Sequence, residues 1–228
     1  MQRPRHFMRA CGTFIVSISR SGTAQADRLE GGYHHDTLNG RAGNDTLDGG
    51  AGTDTAIFAG AKAGYTVTRS ATGFTVSSSA EGTDTLTNIE RLKFSDVSVA
   101  LDLSGNAGTT AKVLGAVFGR EGLTNKLFVG IGLQLLDAGT SYQALMQAAL
   151  AAKLGANASN TAVVNLLFTN VVGSAPSAAD LAFYKTMLDS GAISQAALAV
   201  VAADTALNTT KIDLTGLAST GIEYLPQG

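Results

Sequence analysis

Four aspartates recur at an interval of nine residues: Asp27, Asp36, Asp45 and Asp54. Glycine recurs in the same phase at Gly22, Gly31, Gly40 and Gly49, and leucine at Leu29, Leu38 and Leu47. Carboxylates are hard oxygen donors, and glycine lets two backbones approach closely. Those residue types suit a hard cation such as calcium, which takes roughly six to eight oxygens in a flexible geometry. An enzyme would need a nucleophile, an acid–base pair or a catalytic metal cluster besides. The histidines are His6, His34 and His35, with no His-Glu-x-x-His pair for zinc, and the one cysteine is Cys11. No Walker lysine or glycine fingerprint opens a helix. The sequence therefore predicts no enzyme.

A nine-residue period does not fit a helix of about 3.6 residues per turn. It fits a turn followed by a very short strand. The x-Asp-x-Leu-x half is the strand, with its leucines on one face, and the glycine-rich half is the turn. Two units make one coil of a flattened parallel solenoid. Turns on one side are then 18 residues apart, which pairs Asp27 with Asp45 and Asp36 with Asp54. Stacked carboxylates repel one another unless a cation sits among them. Two plainer readings stand beside this one: a flexible Gly/Asp loop without an ion, and a degenerate roll that binds calcium poorly. The common phase of aspartates, glycines and leucines argues against the first.

Residues 40–48 and 49–57 resemble the hemolysin-type (RTX) calcium-binding repeat, GGxGxDxUx. Residues 22–30 carry Thr23 and Gln25 in glycine positions, residues 31–39 carry His34, and Arg41 replaces a glycine in the third repeat. The ligand set expected from this resemblance is Asp27, Gly31, Gly32, His34, Asp36, Gly40, Arg41, Gly43, Asp45, Gly49, Gly50, Gly52 and Asp54. Two or three calcium sites at most are expected, the better ones around Asp45 and Asp54. His34 and His35 weaken the position beside them, because histidine lacks glycine's backbone freedom. The resemblance also implies a chain that stays unfolded in the calcium-poor cytosol, passes through a type I secretion apparatus and folds outside the cell.

The elements around the repeats follow from changes of period. In residues 58–103 the period becomes two, with a β-hairpin turning near Thr72-Gly73, and this segment reads as a β cap on the roll. Gly82, Asp84 and Leu86 echo positions four, six and eight of the repeat, and Glu90-Arg91 reads as an ion pair, buried or solvated. After a linker at 104–108 the composition turns to alanine and leucine. Residues 109–203 predict about six helices, with Thr109 capping the first and Ser177/Asp180 forming a capping box. Leu127, Ile131 and Leu135 form the apolar row of the second helix, and Val201 faces inward in the sixth. This region resembles the DUF4214 helical domain, on Val117-Phe118-Gly119-Arg120, Gly122-Leu123, 170–173, 181–184 and 188–191. Residues 1–21 read as a poorly ordered lead-in and 204–228 as a loose C-terminal tail. The fold class expected is α+β: a short parallel β-roll with a hairpin cap, then a separate all-α domain.

Net charge is −2, from 16 basic and 18 acidic residues, with no basic run after the first nine, so nucleic-acid partners are not expected. No apolar stretch is long enough for a transmembrane segment. The functional expectation is a secreted, calcium-binding, non-enzymatic module. The alternative is a surface-layer, biofilm or adhesion protein fragment whose helical part binds a protein or glycan. An exposed apolar or aromatic patch on that part would separate the two.

Overall fold

The structure is a computed structural model that describes residues 16–227. His6, Cys11 and most of the expected lead-in lie outside the described residues. The repeats form five short strands: β1 (Ser19–Ser21), β2 (Arg28–Gly32), β3 (Thr37–Asn39), β4 (Thr46–Gly50) and β5 (Thr55–Ile57). Alternate strands lie in two sheets, and each pairs in parallel with the strand two ahead. Ser19 aligns with Thr37 and Thr37 with Thr55; Leu29 aligns with Leu47. That is the 18-residue coil. Residues 19–21, expected to be ragged, are tied into it because β1 pairs with β3.

Next come β6 (Thr66–Arg69), β7 (Phe74–Ser78), β8 (Gly82–Thr87), β9 (Arg91–Lys93) and β10 (Ser98–Ala100). The hairpin of β6 and β7 turns where Ser70 donates its N–H to the Gly73 carbonyl. The hairpin departs from the roll, and so does β10, which pairs antiparallel with β9. β8 returns to pair in parallel with β4, and β9 with β5. Leu38, Leu47, Ala56, Leu86 and Leu92 fill the space between the sheets and are fully buried. Phe58, Tyr65 and Phe94 close one side, their ring centroids 5.1 to 5.3 Å apart.

Eight α-helices follow: α1 (Asn106–Phe118), α2 (Lys126–Asp137), α3 (Tyr142–Leu154), α4 (Asn160–Leu167), α5 (Ala178–Asp189), α6 (Gln195–Ala203), α7 (Ala206–Lys211) and α8 (Leu214–Thr220). Side chains cap most of them. Ser141, Ser159, Ser177, Ser194 and Thr205 each accept an N–H three residues on. Thr109 does not cap α1. It lies inside the helix, where its hydroxyl bonds the Gly105 carbonyl. The core of this part gathers Val117, Met146, Val163, Leu167 and Ala199 among others. In α2 the buried row is Val129, Leu133 and Leu136, whereas Leu127 and Ile131 face outward.

The last stretch is not a loose tail. It forms α7, α8 and then β11 (Ile222–Tyr224), which pairs antiparallel with β10 and becomes the edge of the six-stranded sheet. The helices and the roll are thereby joined. Arg91, 4% exposed, bonds Asp102 and reaches Asp137 at the end of α2 at 3.0 Å. Glu90, just before β9, gives Arg91 only its backbone carbonyl, at 3.0 Å, and its carboxylate accepts the Asp54 N–H instead. Arg69 of the hairpin donates to the Ala218 carbonyl of α8 at 3.0 Å.

Candidate metal centre

The repeats stack their turns in two columns. One holds the turns at 22–27 and 40–45, the other those at 31–36 and 49–54. Each aspartate is held by its neighbour one coil away. The Asp27 N–H donates to Asp45 Oδ1 at 2.8 Å, and the Asp36 N–H to Asp54 Oδ1 at 2.7 Å. Ile18 donates likewise to Asp36 Oδ1 at 2.8 Å. The expected pairs at 18 residues are thus brought together, each through one carboxylate oxygen.

The second oxygen carries the chemistry. Asp36, Asp45 and Asp54 are buried, and the Oδ2 of each has no hydrogen-bond partner. A buried, unpaired carboxylate oxygen is costly unless a proton or a cation meets it. Oxygen crowds around it. A Cβ on Gly31 would collide with both Asp36 Oδ2 and the Gly49 carbonyl, and one on Gly22 with Asp27 Oδ2 and the Gly40 carbonyl. Position-one glycines are therefore required for close approach, not for a left-handed backbone. Left-handed φ angles occur at positions two and four of the last two repeats: Arg41 at 68°, Gly43 at 131°, Gly50 at 91° and Gly52 at 148°. The first two repeats lack them: Thr23, Gln25 and His34 fill three of these positions, and Gly32 fills the fourth without taking a left-handed φ.

Burial raises the Asp54 carboxyl above the usual range, against the hydrogen bond from Asp36. Asp27 at the outer end is lowered, because the Thr23 N–H and hydroxyl both donate to it, at 2.6 and 2.8 Å. Position five also pairs between coils: the Thr53 N–H donates to His35 Nδ1 at 2.8 Å and the Thr83 N–H to Asn44 Oδ1 at 2.8 Å. The sequence reading missed both. His34 is exposed and meets the column only through its carbonyl, which lies against Gly52. The exposed Arg41 keeps its N–H on Asn39 Oδ1 at 3.0 Å. Among the described residues no three acidic, histidine or cysteine side chains converge. A cation here would take at most two carboxylates as ligands, completed by turn carbonyls, which suits calcium.

Residues 21–56 match the RTX calcium-binding nonapeptide repeat in four copies. Residues 142–211, from α3 through α7, match DUF4214, a domain of unknown function. No curated protein matches the chain. Among solved structures, the extracellular lipase LipA of Serratia marcescens is similar at 20% identity and a TM-score of 0.24 over 37% of this chain. The chain spans only 17% of that lipase, and the likeness carries no argument about activity.

Proposed function

We propose that this chain is a non-enzymatic module of an exported protein whose roll is completed by calcium outside the cell. The observation that carries the reading is the set of three buried aspartate oxygens without partners, at Asp36, Asp45 and Asp54. Their Oδ1 atoms fix the spacing between coils, and their Oδ2 atoms, with the carbonyls of 40–43 and 49–52, form the oxygen-rich surface that would hold the ion. Bound calcium supplies positive charge and folding free energy. Without it, like charges face one another across coils held by a thin leucine row. A chain of this kind stays loose in a calcium-poor cytosol, as passage through a type I secretion channel demands.

The test is calcium titration calorimetry together with circular dichroism. The native chain takes up calcium and gains strand signal by the millimolar range, and Asp45→Ala and Asp54→Ala each lose at least one equivalent. A native chain that shows neither heat nor spectral change at millimolar calcium would sink the reading.

A second reading, adhesion through the helical part, has its own observation. Phe183 and Val201 are each 60% exposed, and Leu207 and Val172 stand out beside an apolar groove that includes Phe168 and Tyr184. It predicts that Phe183→Glu folds normally but no longer sediments with washed producing cells. Equal retention of both forms counts against it.

A further inference from the structure

We propose that the cap extends both calcium columns by one position, with Asp84 and Glu90 as the carboxylates that follow Asp45 and Asp54. The proposal rests on the calcium reading of the nonapeptide turns and adds two sites to it, each shared between the last repeats and the cap.

The hydrogen-bond ladder continues past the end of the repeats. The Asp45 N–H donates to Asp84 Oδ1 at 2.9 Å, and the Asp54 N–H to Glu90 Oε2 at 2.8 Å. The sequence separations are 39 and 36 residues, yet each rung is the one made at 18 between repeats. The backbone explains this. The hairpin is an insertion, after which β8 aligns Leu86 with Leu47 and β9 aligns Leu92 with Ala56. The roll resumes, and its turns fall into the same columns.

The surrounding oxygens repeat as well. Gly82, at a φ of 91°, lies against the Gly43 carbonyl, as Gly52 lies against that of His34. The Asn88 carbonyl lies against Gly49 together with Asp54 Oδ2, as the Gly49 carbonyl lies against Gly31 together with Asp36 Oδ2. Asn88 itself has a φ of 50°. The link from Asn88 to Glu90 is shorter than that from Gly49 to Asp54, and the longer glutamate side chain reaches the same rung from it. Asp54 Oδ2 shares the space at Gly49 with the Asn88 carbonyl, and Asp45 Oδ2 lies against Gly40; both aspartates are more than nine-tenths buried, and these oxygens have no partners. Two carboxylates with backbone carbonyls around them form a ligand set for calcium in each column.

The test titrates calcium chloride into the full chain, with magnesium chloride as a control. Asp84→Asn and Glu90→Gln keep an acceptor for the N–H and remove the charge, and Asp36→Asn serves as the repeat-only comparison. Asp84→Asn and Glu90→Gln are expected each to lose one calcium equivalent, or at least tenfold in the affinity of one site. Unchanged stoichiometry and affinity in both, with a loss in Asp36→Asn, overturns the proposal and leaves the repeat sites standing. No calcium uptake by the native chain overturns both. Hydrogen exchange of the native chain needs no variant to fold: calcium should slow exchange at 79–90 together with 40–54. Protection confined to 22–57 overturns the proposal.

Discussion

Gly49 and Arg41 show two different demands that one repeat places on single residues. A Cβ at Gly49 would overlap the Asn88 carbonyl and the Asp54 carboxylate; Asn88 is tied down through its amide on Asp48, and the carboxylate by the Asp36 N–H. Gly49→Ala is expected to cost on the order of 2 kcal/mol in denaturant unfolding and to weaken calcium uptake. Arg41 faces no such wall. Its side chain is exposed, but its φ of 68° lies in the left-handed region. Arg41→Gly should therefore stabilise the calcium-loaded chain by about 1 kcal/mol, seen as a higher denaturant midpoint at unchanged slope. A lower midpoint would show that the side chain matters more than the strain. The carboxylates add a pH signature. Burial pushes Asp84 up to about 6 and raises Asp54 and Glu90 in the same direction. In chelated protein the folded state then binds more protons than the unfolded chain between the ordinary carboxylate range and pH 6. Stability is present below that window and falls as pH rises through it, by on the order of 1 kcal/mol for a partly screened group. Melting temperatures in chelator should be higher at pH 5 than at pH 7.5. With calcium in excess the order reverses, because protons compete for the same oxygens.

At the level of elements, the roll was legible because its period is its geometry. A repeat of nine puts Leu29 over Leu47 and Asp27 over Asp45 with no further information. The continuation through β8 and β9 was only half legible. Gly82, Asp84 and Leu86 kept the pattern, but the inserted hairpin destroyed the spacing, and Glu90 took the place of an aspartate. The strand β10 misled in a different way. Val97, Val99 and Leu101 alternate with small residues, which reads as one buried face. Ser98 and Ala100 are buried too, because α1 and β11 cover them. The same contact explains Arg91. From sequence its natural partner was Glu90, but the Glu90 carboxylate accepts the Asp54 N–H in the turn column, whereas Arg91, the first residue of β9, turns to Asp102 and Asp137. Arg91→Ala leaves two acids facing each other where the helices meet the cap. It should lower stability by about 3 kcal/mol in denaturant titration, as removal of one member of a buried ion pair does. A loss below about 1 kcal/mol would mean that solvent already screens the acids.

In the whole molecule, calcium dependence is expected to be graded along the chain. The coils at 19–57 have only the leucine row and their turns to hold them. The cluster of Val117, Met146, Val163, Leu167 and Ala199 shares no residue with the roll. Between them lies a third cluster, in which Ala100 and Ile222 of the sheet pack on Ala111, Leu114, Val129 and Leu133 of α1 and α2. Removing calcium should therefore not divide the chain cleanly into a melted roll and an intact helical part. Hydrogen exchange in chelator should show residues 22–57 the least protected and α3 through α6 close to their calcium-loaded protection. Residues 91–103, α1, α2 and β11 should lie between. Arg91→Ala should deepen the middle class toward the roll while leaving α3 through α6 as they were, since the ion pair lies wholly within the middle class. Uniform loss of protection across all three would mean one cooperative unit, and no loss from residue 91 onward would mean that the interface holds without the roll.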